Sequence, residues 1–211
     1  MAIDLAISGA SNPLKPLLSL PMSEARGIPE GSTRGKDLAE LPMSPIPHPD
    51  TQPLAVNCAV ITVSDTRSAE TDSSGQLIQS LLQNAGHRVV DYALVRDEPT
   101  QIQGRLQTLC QRSDLDAVIF NGGTGIAPRD TTYDAIARCL DKTLPGFGEL
   151  FRWLSYSEIG SRAIASRAVA GVCQSKLVFS IPGSTNAVRL AVEQLILPEL
   201  GHLVKQINSS S

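Results

Sequence analysis

The chain has 211 residues, 42% of them hydrophobic and 18% charged, which suits one globular domain able to bury a sizeable core. A formal net charge of −3 gives no general attraction to nucleic acid or an anionic membrane, so neither is expected as a partner and any anion site must be local. Cys58, Cys110, Cys139 and Cys173 are widely spaced, and His48, His87 and His202 are scattered, which reads as free thiols of a cytoplasmic protein and excludes a zinc or disulfide framework.

Residues 1–53 hold nine of the fourteen prolines and no aromatic residue, as in Leu41-Pro-Met-Ser-Pro-Ile-Pro-His-Pro49. Such a composition cannot bury enough surface to offset ordering entropy, so a flexible extension is expected, with partner docking as an alternative use. The first residues lack the basic and apolar regions of a secretory signal, and no apolar run reaches the ~18 residues of a membrane span. The folded domain is expected over residues 54–211. It opens with Ala55-Val-Asn-Cys-Ala-Val-Ile-Thr-Val63, apolar on both faces like a central strand of a parallel sheet. Asp72-Ser-Ser-Gly75 then precedes a helix over Gln76 to Ala85 that ends at Gly86, a natural C-cap. A second strand is predicted over residues 88–95, a second helix from Pro99 to Cys110, and a third strand over residues 115–120. Beyond the glycine-rich segment, helices are predicted at 131–140, in the stretch from Gly146, and near 160–170. A strand over residues 177–181, the turn Pro182-Gly183-Ser184 and a helix from about Asn186 complete the chain. This alternation predicts an α/β fold, a three-layer α/β/α domain on a mostly parallel, Rossmann-like sheet.

The most informative segment is Asn121-Gly-Gly-Thr-Gly-Ile-Ala-Pro-Arg-Asp130, where an apolar strand meets Gly122, Gly123, Thr124 and Gly125 before a helix restarts. Glycines there allow positive φ and close approach of a ligand, and a following helix N-terminus would present amides to an oxyanion. Asp130 beside such a cradle would repel a phosphate unless a divalent cation stood between them, which points to Mg2+; the other reading is an ordinary turn capped by Asp130 or Thr131. There is no Gly-Lys-Ser/Thr anywhere, and Pro128 stands where a dinucleotide fingerprint has its third glycine, so neither a P-loop nor a standard NAD site fits. Ligands of open α/β sheets bind beyond the carboxyl ends of the strands. Those ends bring Ser64-Asp65-Thr66-Arg67, Arg96-Asp97-Glu98, the glycine loop with Asp130, and Pro182-Gly183-Ser184 to one edge.

Several ordered segments carry a resemblance: Ile61-Thr-Val-Ser-Asp-Thr-Arg67, Asp72-Ser-Ser-Gly75, Gly122-Gly-Thr-Gly125 with Arg129-Asp130, Pro145-Gly-Phe-Gly-Glu149, Ser155-Tyr-Ser-Glu-Ile-Gly160, Ser166-Arg-Ala168 and Pro182-Gly-Ser-Thr185. From residue 55 to about 205 the chain resembles molybdenum cofactor biosynthesis proteins of the MoaB/MogA family. The runs at 155–160 and 166–171 and the Pro-Gly-Ser-Thr ending resemble the MoaB branch. The resemblance implies an α/β/α unit that forms homotrimers or hexamers, binds molybdopterin and works with other proteins of the cofactor pathway. Adenylyltransferase members use Mg-ATP to place AMP on the terminal phosphate of the pterin, releasing pyrophosphate.

By the same resemblance, Asp130 matches the main catalytic acid, here also the Mg2+ ligand, and Asp97 a second functional acid, although Asp97-Glu-Pro is also good turn chemistry. Gly122, Gly123, Thr124 and Gly125 would cradle phosphate. Ser64, Asp65, Ser74, Gly75, Glu149, Pro182, Gly183 and Ser184 would line the nucleotide or pterin cleft. Adenylyl transfer joins a phosphate nucleophile to the α-phosphate of ATP, so its tasks are charge screening, alignment and stabilisation of the leaving pyrophosphate. Two other functions stay open: a molybdopterin-binding or scaffold protein without turnover, and a nucleotide-binding domain with another phosphoryl substrate. The row Phe147, Phe151 and Trp153 is either a subunit contact or core.

Overall fold

The computed structural model describes residues 54–209, so the proline-rich residues 1–53 lie outside the described residues. The elements run β1 (Asn57–Val63), α1 (Ser73–Asn84), β2 (Arg88–Val95), α2 (Pro99–Cys110), β3 (Ala117–Asn121), α3 (Thr132–Ala137), β4 (Lys142–Thr143), α4 (Pro145–Ile159), a 3-10 turn (Gly160–Ala165), β5 (Val169–Cys173), β6 (Lys176–Ile181), α5 (Thr185–Ala191) and α6 (Leu197–Asn208). The strands form one six-stranded sheet in the order β2-β1-β3-β6-β5-β4. Its first four strands are parallel, and β5 and β4 add an antiparallel edge.

Alternation along the central strands explains the three layers. Cys58 and Val60 of β1 and Ile119 of β3 point to one face, where α1, α4, α5 and α6 supply Ile78, Phe151, Val188 and Leu200. Ala59, Ile61 and Phe120 point to the other face and meet Ile102 and Leu106 of α2 and Ile136 of α3. Both faces are covered, so Cys58 to Ile61 of β1 and Ala117 to Phe120 of β3 read as unbroken apolar runs. All four cysteines are free thiols, with Cys58, Cys110 and Cys173 buried. No helix among the described residues is long and apolar enough to cross a membrane.

Local chemistry sets the helix ends. Asp72 caps α1 by accepting from the Gly75 amide, so the helix begins at Ser73, three residues ahead of the predicted start. At the other end Gly86 has φ +86°. The amides of Gly86 and His87 donate back to Gln83 and Leu82 oxygens in a Schellman closure. Pro99 opens α2 as predicted. Two expectations fail. The predicted helix near 160–170 is a 3-10 turn that stops at Ala165, followed by β5, because Val169-Ala-Gly-Val-Cys173 completes the sheet beside β6. Gly171 is required there, since a Cβ at that position would collide with the Lys142 carbonyl of β4. The final helix is also interrupted by a π turn at Val192–Ile196, just ahead of Pro198, whose ring excludes the carbonyl four residues earlier.

Candidate functional site

The chain leaves β1 toward β2 on one side and returns to β3 on the other, so the strand order reverses between β1 and β3. Beyond the carboxyl ends of these strands lies a cleft of about 430 Å3, lined by Ser64, Arg67, Gly122 to Gly125, Asp130, Arg167, Pro182 and Gly183. A second depression of about 400 Å3 lies against α3 and is lined by Pro99, Ile126, Asp134, Arg138 and, again, Asp130 and Arg167. A larger one of about 790 Å3 sits between α6 and the β4–β5 edge, lined in part by Leu144, Leu177 and Leu203, away from the glycine loop.

The glycines are first demanded by the fold. Gly122 has φ +104°, and a Cβ there would strike the Val63 carbonyl. Gly123 has φ +61°, and a Cβ there would strike Asp97 and Thr132. The Gly122 amide donates to the Ile181 oxygen at 3.0 Å, and a Cβ on Gly183 would lie 3.0 Å from the Gly122 Cα, so the loops after β3 and β6 touch backbone to backbone. The amides expected to be free at the start of α3 are partly used within the protein. There Thr131 N–H donates to Asp97 and Thr132 N–H to the Gly123 oxygen. Across the glycine loop, the amides of Gly123, Thr124, Gly125 and Ile126 meet no acceptor among the described residues.

Asp130 folds back on the loop. Its Oδ2 accepts from the Ala127 amide at 3.1 Å, and Oδ1 has no hydrogen-bond partner among the described residues. Asp97 is 7% exposed and lies beneath the loop. Its Oδ1 accepts from Thr131 N–H at 3.1 Å, from the Thr131 hydroxyl at 2.7 Å and from the Thr132 hydroxyl at 3.3 Å. Asp65 stands at the rim in an ion pair with Arg129, which joins the loops after β1 and β3. The Arg129 guanidinium holds the Asp65 carboxyl below the usual carboxylate range. Ser64 turns its own loop, accepting from the Thr66 and Arg67 amides.

Ser74 and Gly75 lie deeper, in a buried network centred on Asp72. The Asp72 carboxylate accepts from the Thr62 hydroxyl, from Tyr92 at 2.8 Å and from the Gly75 amide at 3.0 Å. Ser74 Oγ lies 3.0 Å from Asp72 and 2.9 Å from Asn121 Oδ1. Burial pushes the Asp72 carboxyl up, yet these hydrogen bonds outweigh it and hold the group below its ordinary value. The network positions Arg67, which pairs with Asp72 at 3.3 Å, donates to Ser74 and reaches the Gly183 carbonyl at 3.1 Å. Ser184 caps α5 through the Ala187 amide. Glu149 lies outside the cleft, lining a small depression with Tyr133 and Arg152. Two cationic residues absent from the sequence-predicted set, Arg67 and Arg167, complete the cleft wall. Both stood inside recognised segments, but no local signal showed that they converge from opposite sides on one loop.

A family described as "Probable molybdopterin binding domain" matches residues 59–202. The chain belongs to this family. Relatives include molybdenum cofactor biosynthesis protein B of Halalkalibacterium halodurans, 53% identical over 166 residues, or 78% of this chain and 98% of the relative. A crystal structure of a molybdenum cofactor biosynthesis protein B superposes with a TM-score of 0.73 at 50% identity, covering 75% of this chain and 99% of that one. The tungsten cofactor synthesizing protein MoaB from Pyrococcus furiosus superposes with a TM-score of 0.67 at 36% identity, covering 74% of this chain and 99% of its own. Matches at this level place the chain in the MoaB/MogA family on its MoaB-like branch, and make it a molybdenum cofactor biosynthesis protein with a molybdopterin-binding domain.

Proposed function

We propose that this molybdopterin-binding domain is an adenylyltransferase of the cytoplasm, which uses Mg-ATP to place AMP on the terminal phosphate of molybdopterin. The observation that carries this reading is the position of Asp130, which lines both the cleft beside Arg67 and the depression against α3. A reaction that joins two phosphorylated substrates needs two adjoining lobes with the reacting phosphates meeting at their shared wall. The donor set suits Mg2+, which binds through one or two carboxylates and completes its shell with water and substrate phosphates. Asp130 would hold the ion through the free Oδ1, and the ion would screen the phosphates from each other and from the carboxylate.

The other roles fall to the chain itself. A phosphate oxygen of the pterin attacks the α-phosphorus of ATP, the bond from that phosphorus to the bridging oxygen breaks, and pyrophosphate leaves with the electron pair. The unpartnered amides of Gly123, Thr124 and Gly125 would take the anionic oxygens, and Arg67, fixed by Asp72, would balance their charge. Asp97 would act through the loop, holding it from beneath. We also infer a homotrimer or hexamer, supported by the exposed apolar row on α4. The testing experiment measures adenylylated pterin from molybdopterin, ATP and Mg2+, comparing wild type with Asp130→Ala at matched folding. Product from wild type and a large loss in the variant support the enzyme; tight pterin binding without product from either protein identifies a binding protein instead.

A further inference from the structure

Arg167 occupies an unusual place for a cation lining an anion site, because its donors are used on the protein. Its Nε donates to the Thr124 carbonyl at 2.9 Å and its Nη2 to the Gly125 carbonyl at 2.7 Å. Nη1 pairs with Asp134 at 3.1 Å, and the guanidinium carbon stacks 4.6 Å from the centre of the Tyr133 ring. The side chain is therefore held on three sides by α3 and by the loop itself. It comes from the segment just before β5, more than forty residues along the chain from the carbonyls it grips.

In a trans peptide the carbonyl of one residue and the amide of the next point in opposite directions. Drawing the Thr124 and Gly125 oxygens onto one guanidinium therefore turns the amides of Gly125 and Ile126 away from it. We propose that Arg167 is a positioning residue for the cradle: it turns these two amides away from itself, at residues lining the cleft (Gly125) and the adjoining depression (Ile126), and polarises both peptides through charge-assisted hydrogen bonds. The inference rests on the reading of the loop as an anion cradle. A lysine cannot substitute, since it lacks the planar fork that holds two neighbouring carbonyls and stacks on Tyr133. The cost of losing Arg167 thus falls on loop geometry, and keeping a positive charge does not restore it.

The experiment uses the full chain, labelled with 15N and 2H and titrated with inorganic pyrophosphate as the probe, with amide spectra and calorimetry recorded together. Wild type should show the Gly125 and Ile126 amides among the most perturbed. Arg167→Gln and Arg167→Lys should both bind about tenfold or more weakly, the scale of losing a charge-assisted hydrogen bond, and both should lose those two perturbations. Asp134→Asn, which removes an exposed partner of Arg167, should fold normally and weaken binding less, in the same spectral direction. Wild-type affinity and shifts in Arg167→Lys would overturn the inference, because charge alone would then suffice; so would an Asp134→Asn spectrum and affinity identical to wild type, should both Arg167 variants fail to fold. Pyrophosphate that leaves every loop amide of the wild type unmoved would overturn the cradle itself, and with it the positioning role.

Discussion

Asp97 and Thr131 join the end of β2 to the start of α3: one carboxylate oxygen takes both the amide and the hydroxyl of Thr131, at 3.1 and 2.7 Å. This contact fixes the point where the glycine loop becomes a helix. Asp97→Ala leaves the partly buried Thr131 amide without its acceptor, and we expect a stability loss of about 2–4 kcal/mol together with loss of product formation. Asp130→Ala should abolish product with little change in melting temperature. Thermal unfolding run beside the transfer assay separates the two acids; equal melting temperatures for wild type and Asp97→Ala would refute the tethering role.

Glycines of similar appearance in sequence should respond oppositely. Gly123→Ala forces a Cβ into Asp97 and Thr132 at a residue with φ +61°, so it should destabilise by at least about 2 kcal/mol and distort the loop. Gly104 lies in the middle of α2 with open space where a Cβ would go. Gly104→Ala should therefore stabilise by about 0.5–1 kcal/mol. Denaturant midpoints at an unchanged slope are the measurement.

The contrast between those glycines shows what was legible in the sequence. Residues 115–120 announce a buried strand, and Gly122 to Gly125 announce a sharp, backbone-close turn, because composition alone limits what such residues can do. The sequence could not show that Gly122 is demanded by the Val63 carbonyl and Gly123 by Asp97, since the first partner ends β1 and the second lies in the loop after β2. β5 was missed for a related reason: Val169-Ala-Gly-Val-Cys173 is short and rich in small residues, and its strand character comes from pairing with β6. Of the row Phe147, Phe151 and Trp153, helical spacing could not decide the direction. Phe151 is buried and Phe147 packs on Phe179 with ring centres 5.2 Å apart, whereas Trp153 is 67% exposed.

That exposure leads to a prediction about assembly. Leu150, Trp153 and Tyr156 are 52%, 67% and 64% exposed on α4, and Trp153 is the single tryptophan of the chain. If this row is covered in a trimer, the emission of the assembled protein should be that of a buried indole and should shift red on dilution. Trp153→Glu should move the mass measured by light scattering toward the monomer. A variant that keeps the wild-type mass would place the interface on another face.

The Asp72 network predicts a pH dependence. The folded carboxyl is held below its ordinary value, so its stabilising effect is fully present above the unfolded pKa, about 3.9, and is lost as pH falls through the lower folded value. Asp72→Asn should be less stable than wild type at neutral pH by about 2–4 kcal/mol, because an amide cannot accept from Thr62, Tyr92 and the Gly75 amide together. That gap should hold constant above about pH 5 and narrow below about pH 4. Asp65, Glu70 and Asp114 also lie below their ordinary values, but they are present in both proteins and cancel in the difference. A gap that stays constant to the lowest measurable pH would assign the loss to packing.

Metal dependence provides the sharpest test of Asp130. A single carboxylate holds Mg2+ weakly, so the ion should bind mainly with nucleotide, and chelation should stop turnover without unfolding the chain. Asp130→Asn keeps the shape of the side chain but loses its charge. It should raise the Mg2+ concentration giving half-maximal product formation by about tenfold or more, on the scale of one charged ligand, while pterin affinity measured without metal stays close to wild type. A Mg2+ requirement identical in both proteins would move the ion away from Asp130 and leave that carboxylate as the closure of the loop at Ala127.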